Sequence, residues 1–491
     1  MRRRLALLLA LLLVGAATAR SVTVATTAQP DTLDPHVTSA TSAFQSTKSI
    51  YDTLVEVARD GAIVPSLAAS YTTSLDGLTW TFALREGIRF HDGTLLDAAD
   101  VVASLERLAA EGSPKRDEFT MIEAIAAPDA ATVVLTLSAP APALLASLAS
   151  GWGAILPSEK LASGHDFGNQ PVGTGPFVFV EWVRDAYLRL ITNPDYFQGT
   201  PVIDGVTLRF VADSAVQLQG LRSGEFDLAT GISPVDFDVV RADPALELVQ
   251  GPSGTVLVAT LNNRRPYLDD ARVRRALNLA IDAETVLEVA YGGGIPGATF
   301  MESGSPWLPD FLEPYGYDPE QARALLASAG VPDDWTIDLA LPQPYEVHVT
   351  AGQIIQDMLR DVGVNAEIRV VEWGVWLGEV YGGPRDFDMT VIGHTGKLDP
   401  TGRLNGYGHA DRTYSGYDNL EVAGWIDRAA VTSEPATRAS LYAQALTRMH
   451  DDAPFAYLGT ALSTHARTAA VEGFWVTPLL DTYDFRSVTV R

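Results

Sequence analysis

The side chains able to do chemistry are eight histidines, an excess of carboxylates and one glycine run, and their spacing argues for binding rather than catalysis. His36, His91, His165, His348, His394, His409, His450 and His465 include no H-x-H or H-x-x-x-H pair, the spacings that set two imidazoles on one side of a strand or helix. No metal and no cofactor are therefore expected. Asp386/Asp388 and Asp451/Asp452 are near neighbours in sequence, but a hydrolytic pair must face one bond at a separation fixed in three dimensions. Gly292-Gly293-Gly294 lacks the Lys-Ser or Lys-Thr that completes a phosphate cradle, so it reads as a flexible connection. No G-x-S-x-G elbow, H-E-x-x-H helix or Walker loop occurs in the chain, and no enzymatic activity is expected.

The elements that must position any site alternate between strand and helix patterns, which points to an α/β protein. Thr79–Leu84 and the run from Val133 to Leu137 read as strands. Asp97 caps a helix with Asp100 three residues on, and Val101, Leu105 and Leu108 follow at helical spacing. Asp270 precedes Val273, Leu277, Ala280 and Ile281, while Arg272, Arg274 and Arg275 lie off that stripe and are expected in solvent. Asp318-Pro319 opens a third helix, which Gly330 closes, and a fourth is predicted from Ala351 to Asp361, ended by Gly363.

Charge and composition bound the partners and the compartment. Arg2, Arg3 and Arg4 precede an apolar run from Leu5 to Val14 that ends in Ala17-Thr18-Ala19, the pattern of a cleaved secretory signal over residues 1–19. That run is too short to span a bilayer. The chain has no cysteine, hence no disulfide and no thiol for a lipid anchor, so a soluble periplasmic monomer is expected. A formal charge of −26 with no basic stretch beyond the signal excludes nucleic acid as a partner.

A set of segments in one order resembles the family 5 extracellular solute-binding proteins, the dipeptide, oligopeptide and nickel-complex binders of ABC importers. They are Asp31-Thr32-Leu33-Asp34-Pro35, Tyr51-Asp52-Thr53-Leu54, Pro65-Ser66-Leu67-Ala68 and the run from Asp76 to Thr94, D-G-L-T-W-T-F-A-L-R-E-G-I-R-F-H-D-G-T. Pro171-Val172-Gly173-Thr174-Gly175-Pro176-Phe177, Asn193-Pro194-Asp195-Tyr196-Phe197, Gly224-Glu225-Phe226-Asp227 and V-R-R-A-L-N-L-A-I-D from Val273 to Asp282 continue it. The resemblance implies a bilobed α/β fold of class II type with an extra inserted domain and a ligand cleft between lobes. Lobe one would comprise 21–46, 177–260 and 471–491, the inserted domain 47–176, and lobe two 261–470. Gly173 and Gly175 would stand where backbone crosses between lobes.

The resemblance further implies a periplasmic substrate-binding component that captures a small solute by cleft closure and delivers it to a membrane permease. It places cleft residues at Ala28, Gln29, Thr230, Gly231, Trp373, Gly393, His394, Thr395, Gly396 and Lys397, with Trp182, Trp376, Arg385 and Arg403 as lesser candidates. Trp373 reads equally as a core aromatic, and Lys397 as a solvated loop lysine. The chain departs from the family pattern at Lys397, which stands where peptide binders grip the ligand's ammonium with an aspartate, and at His394, where they carry tryptophan. A lysine favours a carboxylate, phosphate or hydroxyl-rich group instead, unless Asp399 takes over the aspartate's place. A peptide or amino-acid-derived solute is expected. A sugar, opine-like conjugate or anionic compound, and a metal chelate, are the alternatives, with a secreted hydrolase a distant one.

Overall fold

A computed structural model of the chain describes residues 21–343, 345–477 and 479–491. The expected signal at 1–19 lies outside the described residues. None of the described helices is long and apolar enough to cross a membrane.

Three sheets organise the chain. A seven-stranded sheet runs in the order Leu246–Gly251, Ser463–Thr468, Leu228–Ala229, Val22–Thr26, Gly205–Phe210, Tyr187–Thr192, Phe177–Val183. A six-stranded sheet runs Gly294–Pro296, Phe455–Ala461, Val256–Leu261, Met389–His394, Thr336–Pro342, Asn365–Val371. An antiparallel four-stranded sheet is drawn from Ala68–Thr73, Thr79–Leu84, Thr132–Leu137 and Ile122–Asp129. Val256–Leu261 is buried at every position, as a strand with a covered sheet on both faces must be. Thr79–Leu84 alternates instead, with Trp80, Phe82 and Leu84 turned into an apolar core that the helix Ala98–Ala109 also enters.

Two short stretches join the seven- and six-stranded sheets: residues 252–255, between Gly251 and Val256, and Leu462, between Ala461 and Ser463. The N–H of Ala461 donates to the carbonyl of Thr255 at 3.0 Å, so the two crossings run side by side. Sheet membership therefore differs from the expected division in two places. Val256–Leu261 spans the expected 260/261 boundary yet pairs only within the six-stranded sheet, and Ser463–Thr468, expected in lobe two, pairs with Leu228–Ala229 and Leu246–Gly251. Gly173 and Gly175 press on the backbone at Ile50, where a Cβ on Gly173 would lie 2.1 Å from the carbonyl oxygen. This close approach links the four-stranded domain to the seven-stranded sheet.

The helix signals correspond to chemistry seen in the fold. Asp97 accepts from Ala99 N while Asp100 accepts from Asp97 N, a reciprocal cap on Ala98–Ala109. Asp270 and Asp318 cap Ala271–Ala280 and Pro319–Ala329, and Gly330 closes the latter at φ 75°.

Three expectations need correction. Arg274 is not in solvent: it is 5% exposed and donates to the carbonyls of Leu268, Asp452 and Ala453, binding the helix Ala271–Ala280 to a distant chain reversal. The fourth helix begins at Glu346, five residues early, because Tyr345 caps it without a side-chain signal. The glycine run is an ordered corner: Gly292 ends a helix at φ 70° and Gly294 starts the strand Gly294–Pro296. Residues 292–297 satisfy G-x-G-x-x-G spacing, but they lead from helix to strand, the reverse of the order a dinucleotide site needs.

Candidate functional site

Where the two crossings meet, both large sheets wall a cavity of about 330 Å³. The end of the first strand contributes Thr27 and Ala28, and the strand Leu228–Ala229 leads to Thr230. Tyr291 and Val347 come from helices packed on the six-stranded sheet, and Ser253 and Thr255 from the crossing itself. The hairpin between Trp475–Thr477 and Thr482–Asp484 adds Asp481 and Tyr483.

Asp481 is the acid of this cavity. Burial raises its carboxyl to about 6, opposed only by a hydrogen bond from Gln45 Nε2 at 3.2 Å. Its backbone sits at φ 51°, a left-handed conformation that aspartate adopts at a cost. His465, also lining the cavity, is held neutral by burial and by Arg467, at about 4, and packs edge-on against Phe474.

A second cavity, of about 520 Å³, lies in the six-stranded half beneath the loop that follows Met389–His394. Arg385, Lys397, Arg403 and Arg412 line it, with Tyr381, Tyr407 and Tyr414, and none of its lining residues among those described is Asp or Glu. Arg403 is 6% exposed; its Nη2 donates to the carbonyls of Gly254 and Thr395, and its Nε lies 3.5 Å from Glu302. Burial lowers the Lys397 ammonium, with Lys115 and Arg403 pushing the same way against Glu118. His394 is driven down to about 3 by burial, then by Arg403, His348 and Lys397, so it faces the cavity as a neutral ring with Nε2 2.8 Å from the Tyr414 hydroxyl. This arrangement can hold negative charge.

The expected site residues fall into three groups. Ala28 and Thr230 line the cavity between the sheets, and His394, Thr395 and Lys397 line the cationic one. Gly231, Gly393 and Gly396 shape the backbone around them: Gly231 N donates to Gln217, Gly393 N donates to His348, and Gly396 packs on Leu479. Gln29 and Trp373 line neither cavity. Gln29 exchanges hydrogen bonds with Asp185, and Trp373 stacks on buried Trp376 at 5.1 Å.

The lesser candidates Arg385 and Arg403 reach the cationic cavity, whereas Trp182 stacks under Arg184 and Trp376 is core. Asp399 is not available as a substitute aspartate, because Arg438 holds it. Sequence reasoning missed Asp481, Arg412 and the three tyrosines. No local spacing marks them: Asp481 joins residues far from it in the chain, while Arg412 and the tyrosines come from the irregular stretch 381–414.

Residues 62–415 match the sequence model of the bacterial extracellular solute-binding proteins, family 5 Middle. The chain is 31% identical to a probable di/tripeptide-binding protein 5 of Pseudomonas aeruginosa, over 98% of each chain. It is 30% identical to the glutathione-binding protein GsiB of Shigella dysenteriae, over 96% of this chain and 95% of that one. Among solved structures, the binding protein AgaA from A. tumefaciens R10, in complex with agropinic acid, superposes with a TM-score of 0.81 at 28% identity, covering 96% of this chain and 99% of its own.

Proposed function

The chain belongs to family 5 of the bacterial extracellular solute-binding proteins, and from that premise we propose that it captures a peptide or amino-acid-derived solute between its two large sheets and delivers it to an ABC importer's permease. The observation that carries this reading is the cavity walled by both sheets at two crossings of a few residues. A solute touching both walls stabilises the approach of the two halves, and the importer distinguishes that state from the open one. Only contacts that differ between the states shift the equilibrium, so no covalent step is required. Asp481 is the acid that receives a solute ammonium, in place of the aspartate replaced by Lys397.

In this reading the chain is exported, loses its leader after Ala17-Thr18-Ala19 and works as a periplasmic monomer, with the four-stranded domain as an insertion beside the seven-stranded lobe. An opine-like conjugate is a second reading, favoured by Lys397 and by the likeness to the agropinic acid complex. The test is native mass spectrometry of protein purified from its own periplasm, with identification of the released compound and solution scattering as it is added back. Release of an amino-acid-derived compound and compaction on its return are expected. A compound that binds without compaction, or is turned over, overturns the reading.

A further inference from the structure

We propose that the four-stranded domain is a latch: it travels with the seven-stranded half and grips the six-stranded half when the two come together, so that it strengthens solute capture from outside the cleft. The proposal deepens the solute-binding reading above and rests on it.

The attachment to the seven-stranded half is polar and buried. Arg107, on the helix Ala98–Ala109, donates through both terminal nitrogens to Asp34, at 2.9 and 2.7 Å. Asp52 accepts from the Tyr196 hydroxyl at 3.0 Å, and the Arg486 guanidinium lies 2.9 Å from Glu56. Asp34, Asp52 and Glu56 are all buried, so parting these groups would strand them out of water.

The contact with the six-stranded half is of another kind and is made by loops at two places. Leu398 packs against the apolar core of the four-stranded domain, and beside it the Lys397 ammonium stands 5.7 Å from the centre of the Trp152 ring, which Lys115 faces at 4.2 Å. At the second place a Cβ on Gly77 would lie 3.0 Å from the Ser433 hydroxyl oxygen and 3.9 Å from the Ser433 Cβ. Both gripped loops belong firmly to the six-stranded half. Arg438 holds Asp399, next to Leu398, and Ser433 lies between the helices Leu420–Ala430 and Pro435–Asp452, which share an apolar core with Val256 and Val258. When the halves part about residues 252–255 and Leu462, the polar ties hold and the Leu398 contact opens to water. A contact made only in the closed state favours that state, and with it the bound solute.

The chain has no cysteine, so a single engineered disulfide tests this. The 3.9 Å separation suits Gly77→Cys with Ser433→Cys, closed by diamide and opened by dithiothreitol. Protein purified from its own periplasm is diluted, and loss of its solute is followed by native mass spectrometry. The oxidised pair is expected to release solute at least about tenfold more slowly than the reduced pair, and Leu398→Ala at least about threefold faster than the unaltered protein. If Leu398→Ala fails to fold, the cysteine pair decides alone. If no solute is retained, the radius of gyration of the two forms decides, and the oxidised form is expected to be the smaller.

A pair that does not oxidise, equal release or equal size of its oxidised and reduced forms, or unchanged release from Leu398→Ala overturns the latch. Solution scattering of solute-bound and stripped unaltered protein separates that result from failure of the reading beneath it. A difference in size between those two keeps the solute-binding reading although the latch falls, and no difference removes both.

Discussion

The carboxylate of Asp399 and the guanidinium of Arg438 meet in a two-pronged ion pair, with Nη1 to Oδ2 at 2.8 Å and Nη2 to Oδ1 at 2.7 Å. Arg438 also donates to the Ala429 carbonyl and lies over Trp307, so its charge is fully committed. The pair ties the loop carrying Lys397 to the long helix Pro435–Asp452. It fixes where that loop can stand.

Removing one partner strands the other in a buried place. Arg438→Met is expected to destabilise the protein by about 3–5 kcal/mol, and pairing it with Asp399→Asn should recover part of that loss. Urea unfolding at neutral pH measures both, and a loss under about 1 kcal/mol for the single variant would show the pair to be dispensable.

Asp481 places a pH-dependent cost on the unliganded protein. Its carboxyl is raised from 3.8 to about 6 in the fold, so the folded state holds the proton more tightly than the unfolded chain. The cost is absent below about pH 4 and complete above about pH 6, where it reaches on the order of 2–3 kcal/mol. Asp481→Asn should therefore raise the melting temperature at pH 7.5 and leave it nearly unchanged at pH 4. Thermal melts at the two values check the sign.

Histidines act at the acid end with the opposite logic. Burial is the leading cause that lowers His36, His348 and His465 to about 4 and His394 to about 3, so their neutral forms support the fold above pH 6.5. That support drains away as pH falls from 6.5 towards 4, when the unfolded chain takes up protons and the folded one does not. Acid titration of stability should show this loss, and His348→Gln should reduce its slope.

What could be read from the sequence was whatever chemistry stays within a few residues. Asp97 with Asp100, and Asp318 with Gly330, announce their helices because cap and partner are neighbours. Arg274 defeats the same reasoning. Its position on the helix looks polar-facing, but the carbonyls that satisfy it belong to Asp452 and Ala453.

The site divides in the same way. The stretch at 393–397 was visible as an ordered run of residue types, and three of its members do line a cavity. Asp481 was invisible, because the glutamine that contacts it lies 436 positions upstream and its cavity also draws on Ala28, Thr230 and Tyr291.

Gly396 is a sharp test of the packing beside that loop. A Cβ there would lie 2.2 Å from the Leu479 carbonyl oxygen, which must give way. Gly396→Ala is expected to destabilise by about 1–3 kcal/mol. Gly424→Ala, on the helix Leu420–Ala430 with open space around it, should instead stabilise by about 0.5–1 kcal/mol. Differential scanning calorimetry of the two variants side by side distinguishes them.

The seven-stranded sheet has a consequence for the order in which the molecule comes into being. Its middle strand is Val22–Thr26, among the first residues described, yet the strand joining Leu228–Ala229 to Leu246–Gly251 is Ser463–Thr468, almost the last. The four-stranded sheet, by contrast, is complete once residue 137 has emerged. As the chain appears from its N-terminal end, that domain can close its core while its host sheet waits for more than three hundred further residues. The first strand finds both its partners, Gly205–Phe210 and Leu228–Ala229, once residue 229 has emerged, but Leu228–Ala229 must stay unmatched on its other flank until Ser463–Thr468 arrives, and the pocket that Asp481 completes cannot exist until synthesis is nearly over.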